Sequence, residues 1–360
     1  MAIVGLKDSD SGPGHAVTAS ITTEGDLRLV LWRVARDGAS ITREQAVVDG
    51  TRRPKELALS TANGHAVVAA IGTDGHLEVT SWGPALTTLG SARGAVGSRV
   101  AIAPVGSTLP DHLVTAMRDS VGHLRLDLWS VAHDGRVSHV DRARGKEIEE
   151  AKLAATGFAE STPKGGAATL TVLERLSGGD LVAETWDVTS FEPPFQFVPP
   201  SARSMFLGRA KRIAAPVSFS FRTSFVAAAE NKDGELAIAV APIDSVESTR
   251  GLQAVGGQIS RVAACVGGEL PDPSGHSRSD VLITAVRDHR GDLEVIAWRI
   301  GQVPVRDSEL DGGGVLEVDV ASVIGGREKD EHNVVVTAVR TADDELKVTA
   351  WRLSSPHRGT

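Results

Sequence analysis

Residues 281–300 read VLITAVRDHRGDLEVIAWRI, and residues 334–353 read VVVTAVRTADDELKVTAWRL. The two stretches share one plan: a run rich in Val, Ile and Thr, a turn carrying Gly or Asp, an acidic residue, then Leu-x-x-x-x-Trp. β-Branched residues suit a pleated surface and alternate residues of a strand face opposite sides. Each stretch therefore predicts two strands joined by a tight turn. The Trp residues give the period, standing at 32, 82, 129, 186, 298 and 351, with gaps of 50, 47, 57, 112 and 53. The doubled gap predicts a further copy near residue 241, and ENKDGELAIAVAPI supplies it, with Leu236 and Ala241 where other copies carry Leu and Trp.

Reading outward from the Leu-to-Trp strand, each copy resolves into four short segments. A small-residue strand comes first (ELALS, RVAIAP, KLAAT, RIAAPV, RVAACV, EVDVAS and, at the start, MAIVGL), with Ala58, Ala101, Ala154, Ala214 and Ala263 at equivalent positions. The Val-rich strand, the turn and the Trp-bearing strand follow, and turns such as Arg36-Asp37-Gly38 and His133-Asp134-Gly135 lead into a fourth strand. No segment has a sustained 3.6-residue apolar period, so the chain reads as all-β.

Four-stranded antiparallel units repeated seven times resemble a seven-bladed β-propeller, and the resemblance covers essentially the whole chain. It implies one domain over 1–360, with blades at approximately 1–49, 50–97, 98–148, 149–209, 210–257, 258–314 and 315–360. Innermost strands crowd around the axis of such a ring, which accords with the alanines of the first strands. Only Trp186-Asp187 forms the WD pair of WD repeats, and the aromatic spacing differs from that of fucose-lectin and tachylectin-like repeats. Only SSPHRGT follows Leu353, so the last blade is expected to hold three full strands, with an open edge prone to self-association.

Composition narrows the function. A net charge of -8 and pI near 5.8 exclude the basic footprint of a general nucleic-acid binder. Mean hydropathy of -0.05 leaves no excess for membrane insertion. The single Cys265 excludes an intramolecular disulfide. MAIVGLKDSD lacks the charged and apolar regions of a secretory leader, so the chain is expected to be cytoplasmic, or secreted with its leader absent. There is no G-x-S-x-G, H-E-x-x-H, C-x-x-C, Walker or Rossmann pattern, and the absence of Tyr excludes a His/Tyr pair. The expected function is a non-catalytic scaffold that binds a ligand or protein on a loop face or channel mouth. The alternatives are an enzyme of hydrolase or lyase type, acting there on a small anionic or carbohydrate-like substrate, and a multivalent lectin.

Departures from the repeat mark candidate sites. The residue two before the alanine of the first strand, or before Asp319 in the last copy, is Glu56, Arg99, Lys152, Arg212, Arg261 or Glu317 in the second to seventh copies, a set that could ring one channel mouth and hold an anion, or pair within the scaffold. Asp319 replaces a small residue close to the expected axis, where a carboxylate must be paired, hydrated or protonated. Asp8-Ser9-Asp10-Ser11-Gly12 places oxygens on alternate residues, as a Ca²⁺ loop does, and Asp8 and Asp10 are candidate ligands against a plain polar loop; no other cofactor is expected. All eight Phe fall between 158 and 225. Phe191, Phe195 and Phe197 in the Pro-rich SFEPPFQFVPPSARSMFLG form a lid or partner patch, or else fill space beside the Trp-less copy. Expected partners are a small anionic ligand, a glycan or a protein, with the chain a monomer or an edge-mediated homodimer.

Overall fold

The two opening stretches form the expected antiparallel pairs. Arg278–Asp288 pairs with Asp292–Ile300, setting Leu282 opposite Trp298, and Asn333–Thr341 pairs with Leu346–Leu353, setting Val335 opposite Trp351. The computed structural model describes residues 1–6, 14–105, 109–156, 167–189, 196–198, 204–218, 224–242, 251–271, 278–301, 304–324 and 333–353. Every regular element among them is a strand, and no helix long and apolar enough to cross a membrane occurs among them. The fold is all-β.

The order of pairing follows the repeat. In the first copy Ala2–Leu6, Gly14–Ile21, Leu27–Val34 and Ile41–Asp49 hydrogen-bond in chain order. Farther on, long strands carry the chain from one copy to the next. Thr88–Pro104 pairs through Val96 with the Trp82 strand, and from Gly97 with His112–Asp119 of the following copy. Ser204–Ile213, Gln253–Pro271 and Val305–Ile324 change partner in the same way, at Arg209/Ala210, Gln258/Ile259 and Gly314/Val315. The switch needs a break in the ladder. In Thr88–Pro104 it is a bulge between Ser98 and Ala101, with Arg99 at φ 59°. The last strand, Leu346–Leu353, has no strand on its far side among the described residues.

A single four-stranded sheet cannot bury both of its faces, so the apolar side chains gather between successive copies. Val17, Leu29 and Leu31 meet Val68 and Trp82, and Val67, Leu77 and Val79 meet Leu113 and Trp129. Leu124, Leu126 and Leu128 meet Val172 and Trp186, and Val226 and Ile238 meet Ile296 and Trp298. In each case the indole belongs to the later copy and faces the earlier one. Ile3, Ala16 and Val34 of the first copy share a cluster with Val323, Val334 and Val336 of the last, and Trp32 packs against it. The backbones there are close enough that a Cβ on Gly5 would run into the Ser322 carbonyl oxygen.

A buried indole N–H needs an acceptor, and the sequence places one fourteen residues upstream. Trp32, Trp129, Trp298 and Trp351 donate to the hydroxyls of Thr18, Thr115, Thr284 and Thr337 at 2.8–3.0 Å. Val68 and Val172 stand at the equivalent positions for Trp82 and Trp186, and the N–H groups of those two indoles are buried without a partner. The Trp-less fifth copy keeps an aromatic ring by moving it across the ladder: Phe225, fully buried, lies directly opposite Ala241. Phe225 thus fills the space left by the missing indole.

The indole hydrogen bond has a measurable consequence. Thr284→Val orphans the Trp298 N–H and should lower unfolding free energy by about 1–3 kcal/mol in denaturant titration. Val68→Thr, which gives Trp82 the acceptor it lacks, should cost less than about 0.5 kcal/mol despite burying a hydroxyl. Equal losses in the two variants would show that the hydrogen bond contributes nothing.

Candidate functional site

Each first strand begins beside the tight turn between the second and third strands, which gathers the residues singled out at that position. Glu56 accepts the Arg99 backbone N–H at 2.6 Å, Lys152 lies 3.5 Å from Glu150, and Arg212 donates to Glu230 at 2.6 Å. Glu317 is shared by Arg340 at 2.9 Å and the Met1 ammonium at 3.5 Å. Most of these charges therefore have a partner inside the scaffold.

Arg261 differs. Among the described residues its guanidinium makes one hydrogen bond, from Nη1 to the Ser260 carbonyl at 2.9 Å. Burial, and next the Arg212 guanidinium, hold its pKa below the ordinary arginine value; Arg287 adds to the repulsion, while Glu317 and Glu230 oppose it. Three guanidiniums from the fifth and sixth copies thus converge near two carboxylates. Arg287 is itself anchored, donating to the Val315 carbonyl at 2.6 Å and the Ser260 hydroxyl at 3.0 Å. Arg287 and Glu230 escaped the sequence reading because they sit at the ends of second strands, where Arg175 and Arg340 stand in other copies and read as ordinary turn-flanking charge.

Asp319 fastens backbone rather than arginine. Its two oxygens accept the N–H groups of Ile3 and Val320, each at 2.9 Å, so a side chain of the last copy holds the first strand of the chain. Burial raises its pKa; the two N–H groups, the N-terminal ammonium and Lys152 oppose that rise. Burial also pushes the Cys265 thiol up, and the Asp319 charge adds to the effect. Both residues are half-buried. A thiol so disfavoured as thiolate is no nucleophile.

Of the Pro-rich stretch, Gln196–Val198 forms a short strand against Asp187–Thr189. Phe197 is 9% exposed, packs edge-on against Trp186 at 6.4 Å, and its N–H donates to Asp141. The ring fills the interior and has no face to offer as a lid or partner patch. Among the described Phe residues, Phe206, 63% exposed in the following strand, meets solvent. Phe191, Phe195, Asp8 and Asp10 lie outside the described residues. Among the described residues no group of three His, Cys, Asp or Glu side chains could hold a metal.

A second polar cluster was not legible in the repeat. Glu174 and Glu184 of the fourth copy face Lys146 of the third: Lys146 hydrogen-bonds Glu184 and lies 3.5 Å from Glu174. Glu174 is fully buried where other copies carry Ala70, Met117, Val286 or Val339. Burial and then the neighbouring Glu184 charge raise its pKa to about 8.

No family model matches the chain, and no curated protein matches it in sequence. Solved structures do resemble it. AofleA from Arthrobotrys oligospora superposes with TM-score 0.53 at 12% identity over 84% of each chain. The SapL1 lectin, solved with alpha methyl fucoside, gives 0.51 at 11% identity over 84% of this chain and 93% of that one. A putative 6-phosphogluconolactonase from Bacteroides uniformis gives 0.53 at 11% identity over 86% and 85%. These neighbours have propeller-type folds. This chain shares that fold type.

The lectin likeness does not extend to the repeated aromatic: Trp82, Trp129, Trp186 and Trp298 are at most 3% exposed and cannot stack on a sugar. The buried acid pair predicts a pH dependence. Glu174 keeps its proton in the folded state up to about pH 8 but loses it near 4.5 when unfolded, so stability falls as pH rises across that window and is level beyond it. Glu174→Gln should remove this fall, and its melting temperature should gain on the parent from pH 5 to 8. Parallel profiles would refute the assignment.

Proposed function

We propose that the chain is a non-catalytic binding scaffold, a closed ring of seven blades whose last blade has three strands, with its ligand site at the channel mouth formed where the first strands begin. Closure is supported by the cluster that joins Ile3 and Ala16 to Val323 and Val334, and by the Asp319 bond to Ile3. The ligand is small and anionic, a sugar acid or sugar phosphate. One observation carries this reading: Arg261 lies opposite Arg287 in the ladder, and burial and the Arg212 charge hold its pKa down. An anion bridging these guanidiniums would relieve the repulsion through charge-assisted bonds. The fold neighbours' names speak of a fucoside and a phosphogluconolactonase, both directed at sugars, and the arginine cluster favours the anionic members of that class.

The enzyme alternative is weaker because the acid expected to do its chemistry, Asp319, already has both oxygens engaged by backbone N–H groups. Calorimetric titration with 6-phosphogluconate, glucuronate, inorganic phosphate and neutral methyl fucoside at low salt tests the proposal. The anions should bind and methyl fucoside should not. Arg261→Ala should weaken anion binding by roughly 10- to 100-fold, the effect of losing a charged hydrogen bond, and added salt should weaken it further. Binding of methyl fucoside alone, or unchanged affinity in Arg261→Ala, would overturn the reading.

A further inference from the structure

The last repeat differs from the others in what covers its third strand. In the sixth copy Leu293, Val295, Ile296, Ala297 and Trp298 are all buried, with Val305–Ile324 paired alongside. The equivalent Leu346, Val348, Thr349, Ala350 and Trp351 are only half-buried, and the far edge of their strand is unpaired among the described residues. Beside Leu346 a cleft of about 630 Å³ opens toward the first copy. Arg43, Ala46 and Val48 of strand Ile41–Asp49 line it, as does Arg28, and Val48 is 55% exposed. Arg28 lies opposite Val48 and Arg43 opposite Trp32 in the ladder, so the wall mixes cations with apolar surface. Glu24, Glu317 and Asp344 also line the cleft, and Arg340 pairs with the last two. Neither Arg28 nor Arg43 has a hydrogen bond or ion pair among the described residues.

A fourth strand elsewhere supplies charge across such a gap: Lys146 of the third copy reaches Glu184 and Glu174 of the fourth. The signs are reversed at the last gap, where the waiting wall carries the cations. We propose that Leu346–Leu353 accepts an added β-strand from an extended acidic peptide segment of a partner protein. Its backbone completes the ladder, its apolar residues cover Ala46 and Val48, and its carboxylates meet Arg28 and Arg43. Strand addition of this kind draws affinity from main-chain hydrogen bonds and specificity from alternate side chains. An uncovered edge is otherwise a standing liability. The site is separate from the Arg212, Arg261 and Arg287 cluster, and the two readings stand or fall independently.

Hydrogen exchange read by mass spectrometry tests the proposal on the full chain, with the synthetic peptide Ac-TETVTVTET-NH2, which carries Glu and Val on one face, and its lysine counterpart Ac-TKTVTVTKT-NH2 as probes. The acidic peptide should slow exchange of amides 346–353, and the lysine peptide should not. In Arg28→Glu/Arg43→Glu the preference should reverse, with the acidic peptide's affinity down by about tenfold or more. Those two side chains have no partner in the described structure, so the variant should keep the parent melting temperature. Absence of protection at 346–353, or equal protection by both peptides, overturns the proposal. Concentration-dependent protection without peptide, with a dimer in sedimentation, would assign the edge to a second copy instead. Peptide binding that appears only after deletion of residues 354–360 would assign it to the chain's own tail. Arg261→Ala should leave peptide protection unchanged, which separates this result from that of the anion titration.

Discussion

The structure depends on an aromatic ring, an indole in all copies but the fifth, seated between each sheet and the one before it. Every copy presents two apolar faces, and no copy can bury them alone. The Trp near the end of the third strand supplies the largest side chain at the contact, and its N–H brings a polar requirement into the interior. Where a Thr stands fourteen residues upstream, the cost of burying that N–H is offset by a hydrogen bond. Where Val replaces it, at 68 and 172, the hydrophobic contact is kept and the donor is left over. The fold tolerates both solutions because burial of an indole contributes more than one hydrogen bond.

Much of this was legible in the sequence. The period of the Trp residues, the missing Trp near 241 and the all-β character follow from spacing and residue type, since a repeated unit must bury the same face at each turn. The move of the fifth copy's aromatic to Phe225 was legible in part: the excess of Phe was visible, but only the register places Phe225 across from Ala241. Asp319 was visible as an exception, a carboxylate that had to be paired, hydrated or protonated. The structure gives it the backbone N–H of its neighbour Val320 and that of Ile3, more than three hundred positions away, and no local pattern encodes the second pairing.

The candidate site was legible in outline only. Reading one position across copies found Arg212 and Arg261, because charge at a strand start stands out against alanine. It missed Arg287 and Glu230, which come from neighbouring strands and look unremarkable in their own context. Phe197 shows the opposite failure. A Pro-rich stretch suggests surface, yet one residue of it turns inward to meet Trp186, and a Pro-rich composition does not report that turn.

Polar groups placed between copies also distinguish interfaces that are otherwise alike. Asp127, fully buried, is held by Arg125 at 2.7 and 2.9 Å and by His139 at 2.9 Å, and His139 stacks edge-on against Trp129 at 5.0 Å. Glu184 occupies the same repeat position one copy later and is met instead by Lys146 from the copy before. At the same position the fifth and sixth copies carry Ala239 and Ile296, which need no partner. An array of identical apolar faces would allow neighbouring sheets to pair in the wrong order, since each face would fit every other. A buried carboxylate that finds its cation only on the correct neighbour penalises such mispairing, because an unpaired buried charge costs more than the pair contributes. The third and fourth copies, at the middle of the chain, are thereby placed in sequence by charge, while the outer joints rely on the indoles and on the Asp319 bond that ties the last copy to the first.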